Sequence, residues 1–238
     1  MMRYVKRFDY IHGQTEEVHG ERRYDILGMK LPSVTTILDK TKDKTFLKKW
    51  IERKGEKEAE RIKNYASKRG TAMHKFIEKY IQETGFKDLT PIGKEAEPMA
   101  KKIIEDGLGS VSEYYGSEVT LQYMGQYAGS SDLICMHNGQ RTVVDFKQSN
   151  RPKQREWIDD YFMQIAAYAM AHDYQFGPKE WGKDGFTVDQ GVIMVCTPDL
   201  YYQEFKIEGE EMKKYRHKFL ARLDKYQELK SKNETTNL

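Results

Sequence analysis

The spacing of apolar residues changes period twice along this chain, and each change marks a different kind of element. Residues 2–30 read as short strands joined at glycines. In "LPSVTTIL", Pro32 and Ser33 precede an apolar helical turn, which makes Ser33 a candidate N-cap. Helical spacing then governs residues 45–64, with an interruption near Gly55, and residues 67–83, where His74, Ile77, Glu78 and Ile81 share one face. A short helix is expected at 97–106. From 111 the period falls to two. Strands are expected at 111–123, 128–136 and 142–148, with turns at Gly125 and at His137-Asn138-Gly139-Gln140, so these three should form an antiparallel meander. A helix at 156–174 follows. Residues 190–196 form a near-continuous apolar strand, the pattern of a sheet buried on both faces. An edge strand at 201–206, a helix at 209–229 and a frayed NETTNL tail close the chain. The order predicts an α/β core sheet covered by helices, to which the N-terminal strands and helices are additions.

At 238 residues the chain is long enough to bury a sizeable core, and one compact domain is expected. A mean hydropathy of -0.82 with 32% charged residues describes a very polar surface. No apolar run reaches the length of a membrane span, and MMRYVKRFDYIHG lacks a signal-peptide core, so a cytoplasmic protein, bacterial or of a phage in its host, is expected. Cys135 and Cys196 each lie in an apolar strand and read as small core residues, too few for a metal or disulfide framework. The net charge is only +3, yet residues 40–70 hold twelve Lys/Arg against five Asp/Glu, interleaved with Phe46, Trp50 and Tyr65. Cations for phosphates and flat faces for bases suit single-stranded nucleic acid. A solvated helical face with its aromatics in the core would show the same pattern.

Three polar residues occupy positions where a core wants apolar ones. Asp132 enters the second strand of the meander after Gly129-Ser-Ser, and Asp145 and Lys147 stand on one face of the third, in "TVVDFKQSN". Paired antiparallel strands bring two carboxylates close enough to grip one cation. A lysine beside such a cation can hold or deprotonate a water, or stabilise charge building on a phosphate. A buried Asp145–Lys147 ion pair is the structural alternative, and it is costly without further partners.

In their order these residues resemble the PD-(D/E)xK nucleases, in the RecB-like branch. The matching segments are Gly70-Thr-Ala-Met-His74 on a helix, Gly129-Ser-Ser-Asp132, Asp145-Phe-Lys147 on the next strand and Gln164-Ile-Ala-Ala-Tyr168 on a helix. "LPSVTTIL" and the lysine-rich helix extend the likeness toward the mitochondrial genome-maintenance exonucleases and their bacteriophage relatives. The resemblance implies a restriction-endonuclease-like core over residues 67–238, with residues 1–66 guiding DNA. It implies Mg²⁺ or Mn²⁺ on His74, Asp132, Asp145 and the Phe146 carbonyl, with Lys147 as the catalytic lysine and Asp132 and Asp145 catalytic through the metal. Gln164 and Tyr168 share a helix face and would approach the site or the DNA together, and Gly70 would let its helix pass close to DNA or sheet.

Weaker candidates are Glu118 as a further ligand, Ser33 and Thr35 as a phosphate site at a helix start, and Arg151, Lys153 and Arg155 on the DNA backbone. Trp50, Lys48 and Lys49 belong to the basic helical segment that would guide the strand. Residue 148 is Gln where relatives often carry Thr. Two cysteines inside strands predict no iron–sulfur cluster. The function implied is a metal-dependent DNA exonuclease, monomeric, acting on single-stranded or flap DNA with a free end, with replication or recombination proteins as possible partners and no membrane. An inactive DNA-binding module and a structure-specific endonuclease are the alternatives.

Overall fold

The computed structural model describes residues 2–18, 20–178 and 185–236, the side chains of 233–236 excepted. Its larger sheet has six strands in the order β1-β5-β6-β7-β8-β9: β1 (Arg3–Tyr4), β5 (Val111–Tyr123), β6 (Tyr127–His137), β7 (Gln140–Gln148), β8 (Gln190–Cys196) and β9 (Tyr202–Glu208). The expected meander is present, since β5–β6 and β6–β7 are antiparallel. Between β7 and β8 the chain crosses through α5 (Asp159–Phe176), and those two strands run parallel. Every residue of β8 is buried, as its unbroken apolar run predicts for a strand covered on both faces. At one edge β9 pairs antiparallel with β8; at the other, β1 pairs parallel with β5.

Two apolar layers cover the sheet. Leu133, Val144, Phe146, Val192 and Met194 face Met73, Phe76, Ile77 and Ile81 of α3 (Glu56–Ile81) and Met99 and Ile103 of α4 (Pro91–Asp106). The alternate residues Ile134, Val143, Ile193 and Val195 face Phe162 and Ile165 of α5, Phe219 and Leu223 of α6 (Gly209–Thr236), and Val34 and Ile37 of α1 (Val34–Thr41). A separate three-stranded sheet, β2 (Gln14–Val18), β3 (Glu21–Ile26) and β4 (Met29–Pro32), packs its Tyr24, Ile26 and Leu31 onto Ala128 of β6. Cys135 and Cys196 are buried thiols inside β6 and β8, as expected of core residues. Among the described residues no helix is long and apolar enough to cross a membrane.

The helix boundaries differ from expectation in three places. The chain does break at Gly55, whose φ of 82° suits glycine alone and ends α2 (Thr45–Lys54). Beyond it α3 is continuous through residue 66, because nothing between 56 and 69 stops a helix. The helix expected from 97 starts at Pro91, with Thr90 as its N-cap and the proline in the first turn, a start signal overlooked in "TPIG". Finally, α6 continues to Thr236, so only the last two residues of the expected frayed tail remain, and they lie outside the described residues.

Candidate active site

The ladder between β6 and β7 runs from His137–Gln140 to Leu133–Val144 and ends there. Beyond that pair β6 continues beside β5 and β7 beside β8. Asp132 and Asp145 are the next residues along, facing each other where the strands separate. Asp132 Oδ2 accepts the Phe146 N–H at 2.6 Å, so a side chain takes over at the point where backbone pairing stops. On the other flank Ser117 pairs with Leu133 and Val119 with Ser131, which brackets Glu118 opposite Asp132. Three carboxylates thus lie in a row across three adjacent strands.

Glu118 has a left-handed backbone, φ 52°, rare for a residue with a side chain. Such strain inside a strand re-aims a side chain, and the Glu118 carboxylate turns to accept from Ser130 Oγ at 3.2 Å. From the α3 side His74 brings Nδ1 to 3.5 Å from Asp132 Oδ2, its side chain 28% exposed. One ligand atom from each of His74, Glu118 and Asp132 lies within 4.8 Å of the others.

The charges respond to this crowding. Burial, and then the Asp132 carboxylate, push Glu118 up to about 7. Burial opposes charge on His74, but Asp132 outweighs it and raises the imidazole to about 9. Burial likewise works against ionisation of Asp132, and the His74 charge more than offsets it, so Asp132 stays below the ordinary carboxylate range. Asp145 is fully desolvated, which pushes it up to about 6 despite Lys147. The Lys147 ammonium lies 2.5 Å from Asp145 Oδ2, off the direction a hydrogen bond requires. Desolvation pulls Lys147 down and the Asp145 and Asp132 carboxylates pull it up further, so it remains charged.

These groups border an open cleft of about 530 Å³, walled by Gly70, His74, Lys75 and Glu78 of α3, by Glu118, Lys147 and Gln148, and by Tyr161 of α5 and Arg22 of β3. Imidazole and carboxylate oxygens in this arrangement fit a divalent cation that takes hard ligands and tolerates one nitrogen. Asp145 stands outside the His74–Glu118–Asp132 cluster: its Oδ1 accepts from Gln164 and its Oδ2 faces Lys147. For Phe146 the contact made is its N–H to Asp132.

Other sequence candidates fall in varied places. Gln164 and Tyr168 do approach the site together, but from below. Both are buried, and the Gln164 amide donates to Asp145 and to the Tyr168 hydroxyl, each at 3.0 Å. Little surface is left on either for DNA, because α5 is sandwiched between the sheet and α6. Gly70 lies within α3, and a Cβ there would come 3.2 Å from the Gln148 side chain, so the helix passes close to the sheet. Ser33 is buried and caps α1, its hydroxyl accepting the Thr36 N–H at 2.9 Å. Thr35 is exposed beside it, 3.0 Å from the Ser33 hydroxyl. The helix α2 buries none of its residues. Lys48 and Lys49 are exposed, Trp50 is half-buried and Phe46 is 81% exposed, so its aromatics do not form a core there. Arg151 is exposed and Lys153 half-buried. Burial, then the nearby Lys42 and Arg151 charges, lower Lys153. Arg155 is engaged with Glu211 at 2.6 Å.

Sequence reasoning missed Arg69. It is buried on α3, donates to Gln148 Oε1 at 2.8 Å and to Glu95 Oε2 at 3.0 Å, and also bonds Asn150. It accounts for Gln148, whose amide oxygen it holds beside Lys147. An arginine adjoining Gly70 on the site-facing helix was the available signal.

The curated mitochondrial genome maintenance exonuclease 1 of Mus musculus is 30% identical to this chain over 218 residues. This chain resembles an exonuclease over most of its length. The match covers 85% of this chain and 60% of that protein, so the chain spans under two thirds of its relative. No family model matches. Among solved structures, a Eubacterium rectale protein carrying an unproven exonuclease designation aligns at 12% identity with a TM-score of 0.44, over 67% of this chain and 68% of that one. LHK-Exo in complex with dAMP aligns at 15% identity with a TM-score of 0.29, over 70% and 85%.

Proposed function

We propose that this chain is a metal-dependent DNA exonuclease of the PD-(D/E)xK, RecB-like kind, hydrolysing phosphodiester bonds in single-stranded or flap DNA with a free end. The observation that carries the reading is the convergence of His74, Glu118 and Asp132 beside a cleft that His74, Glu118 and Lys147 line. The likeness to an exonuclease supports it. In this reading residues 67–238 form a restriction-endonuclease-like core and residues 1–66 guide the strand. The exposed cations of α2, Lys48 and Lys49 with Trp50 behind them, support a guiding role, as do Arg151 and Lys153. The protein works as a monomer in the cytoplasm, alongside replication or recombination proteins.

His74, Glu118 and Asp132 would hold Mg²⁺ or Mn²⁺, with Asp145 and the Phe146 carbonyl completing the oxygen set. A divalent cation there supplies a Lewis acid for the phosphodiester oxygens. The chain's own groups do the rest. The Asp145 and Asp132 carboxylates favour the charged form of Lys147, which suits it to stabilise the negative charge that builds on the phosphate. Gln164 and Tyr168 fix the Asp145 carboxylate from beneath, and Arg69 fixes Gln148 beside Lys147.

The test is to incubate the wild type and Lys147→Ala with end-labelled single-stranded DNA in Mg²⁺, Mn²⁺ or EDTA. The wild type should degrade the strand only with metal, and the variant should bind without cutting. Comparing 5′ and 3′ labels gives the polarity. If both proteins bind alike and neither cuts with any metal, the chain is a DNA-binding module. Closed circles cut as fast as linear strands would remove the requirement for a free end.

A further inference from the structure

Three cations line the cleft as Lys or Arg, and two are already engaged. Lys147 faces Asp145, and Lys75 bonds Glu78 at 2.8 Å. The third is Arg22, from the small N-terminal sheet, far in sequence from every other site residue. Among the described residues its guanidinium has no carboxylate or carbonyl partner. It lies over the Tyr24 ring, whose centroid is 5.4 Å from Cζ.

That contact is anchored. Tyr24 is buried, and its hydroxyl accepts the Ser130 N–H at 3.1 Å. Ser130 Oγ in turn donates to Glu118. The Arg22 carbonyl accepts the Ser33 N–H at 3.0 Å and the Thr36 hydroxyl at 3.1 Å, which pins β3 to the start of α1. Backbone and ring thus fix the direction of the guanidinium toward the cleft, while its five N–H donors stay available. A planar fork held on an aromatic face is suited to the two oxygens of a phosphate.

Resting on the nuclease reading above, we infer that Arg22 is a substrate-binding residue that grips a backbone phosphate of the strand in this cleft. A phosphate is the ligand its chemistry selects, because the guanidinium fork matches two phosphate oxygens and a strand lying in this cleft presents a phosphate at every nucleotide. The small sheet is then part of the site, contributing an exposed guanidinium to the cleft wall.

The experiment compares wild type, Arg22→Gln and Arg22→Lys by cleavage kinetics, and by anisotropy of a fluorescein-labelled single-stranded oligonucleotide in EDTA at rising KCl. For Arg22→Gln, KM and Kd should rise about tenfold with kcat within about twofold. The slope of log Kd against log salt should fall by about 0.7, one phosphate contact on a single strand. Arg22→Lys should keep that slope and recover part of the affinity. If Arg22 only covers Tyr24, the glutamine variant lowers Tm and kcat while KM and the salt slope stay put, and the inference is overturned. Should the wild type bind DNA but cut none, the nuclease reading fails alone and Arg22 is judged on Kd. If it neither binds nor cuts, both fall.

Discussion

The Gln164 side-chain nitrogen stands 3.0 Å from Asp145 Oδ1, and both residues are buried. A buried carboxylate needs every partner it can find. Because the same amide also donates to Tyr168, one glutamine spends both of its hydrogens on fixing two groups. Gln164→Leu removes both bonds and leaves the carboxylate with Lys147 alone. Its stability should fall by about 1–3 kcal/mol in urea titration, and kcat should drop with little change in KM. A Tm and a kcat equal to those of wild type would show that the contact does not position Asp145.

Gly129 and Tyr168 are packed so closely that a Cβ on the glycine would stand 2.5 Å from ring carbon Cε1. The ring is 3% exposed and cannot swing away. Gly129→Ala should therefore cost about 1–3 kcal/mol. Adding Tyr168→Leu should make the pair less destabilised than the sum of the two single changes, a coupling that a double-mutant cycle reads directly.

Glu118 carries a penalty in the metal-free protein. Its carboxyl titrates near 7 in the folded chain, against an ordinary value near 4.5. The charged form is therefore disfavoured in the fold, and stability is lost as pH rises from about 4.5 through 7. In EDTA at pH 8, Glu118→Gln should be more stable than wild type by roughly 1–3 kcal/mol, and the gap should close by pH 4.5. The same variant should bind Mn²⁺ about 10–100-fold more weakly by calorimetry. A variant less stable at pH 8 than wild type would refute the carboxylate crowding.

His172 is fully buried on α5, where its Nε2 meets the Tyr10 hydroxyl at 2.8 Å and its Nδ1 has no partner among the described residues. Burial lowers the imidazole to about 3. The folded state takes up a proton far less readily than the unfolded chain, so stability present above pH 6.5 is lost as pH falls from there toward 3. Between pH 6.5 and 5 the loss from this group is about 2 kcal/mol. His172→Phe should remove that part of the acid limb, so its stability relative to wild type should improve by that amount over the same interval.

Much of this was readable along the chain. Periods of 3.6 and 2 located the meander, the crossover helix and the doubly buried β8, because both patterns follow from which faces an element must bury. Helix ends were less legible where the stop was absent: no glycine or proline separates residues 64 and 67, and only packing on the sheet shows that α3 runs through. Asp132, Asp145 and Lys147 were recognisable because polar residues in apolar strands stand out without coordinates, and Gly70, His74, Gln164 and Tyr168 because they follow the order of the nuclease motifs that the sequence resembles.

What each of them faces was not recognisable. Glu118 joins His74 and Asp132 through the register of β5 against β6 and a left-handed turn of its own backbone. Register is set by a long-range pairing, so Glu118 looks like any strand glutamate in isolation. Gln164 and Tyr168 turn inward because α5 is covered on both sides, a fact that belongs to α6 and the sheet. Arg22 enters the cleft because a small sheet docks on Ala128. Elements and their polar exceptions are local and were determined by the sequence alone. Which side chains meet depends on contacts between residues far apart in the chain, and only the tertiary structure decided that.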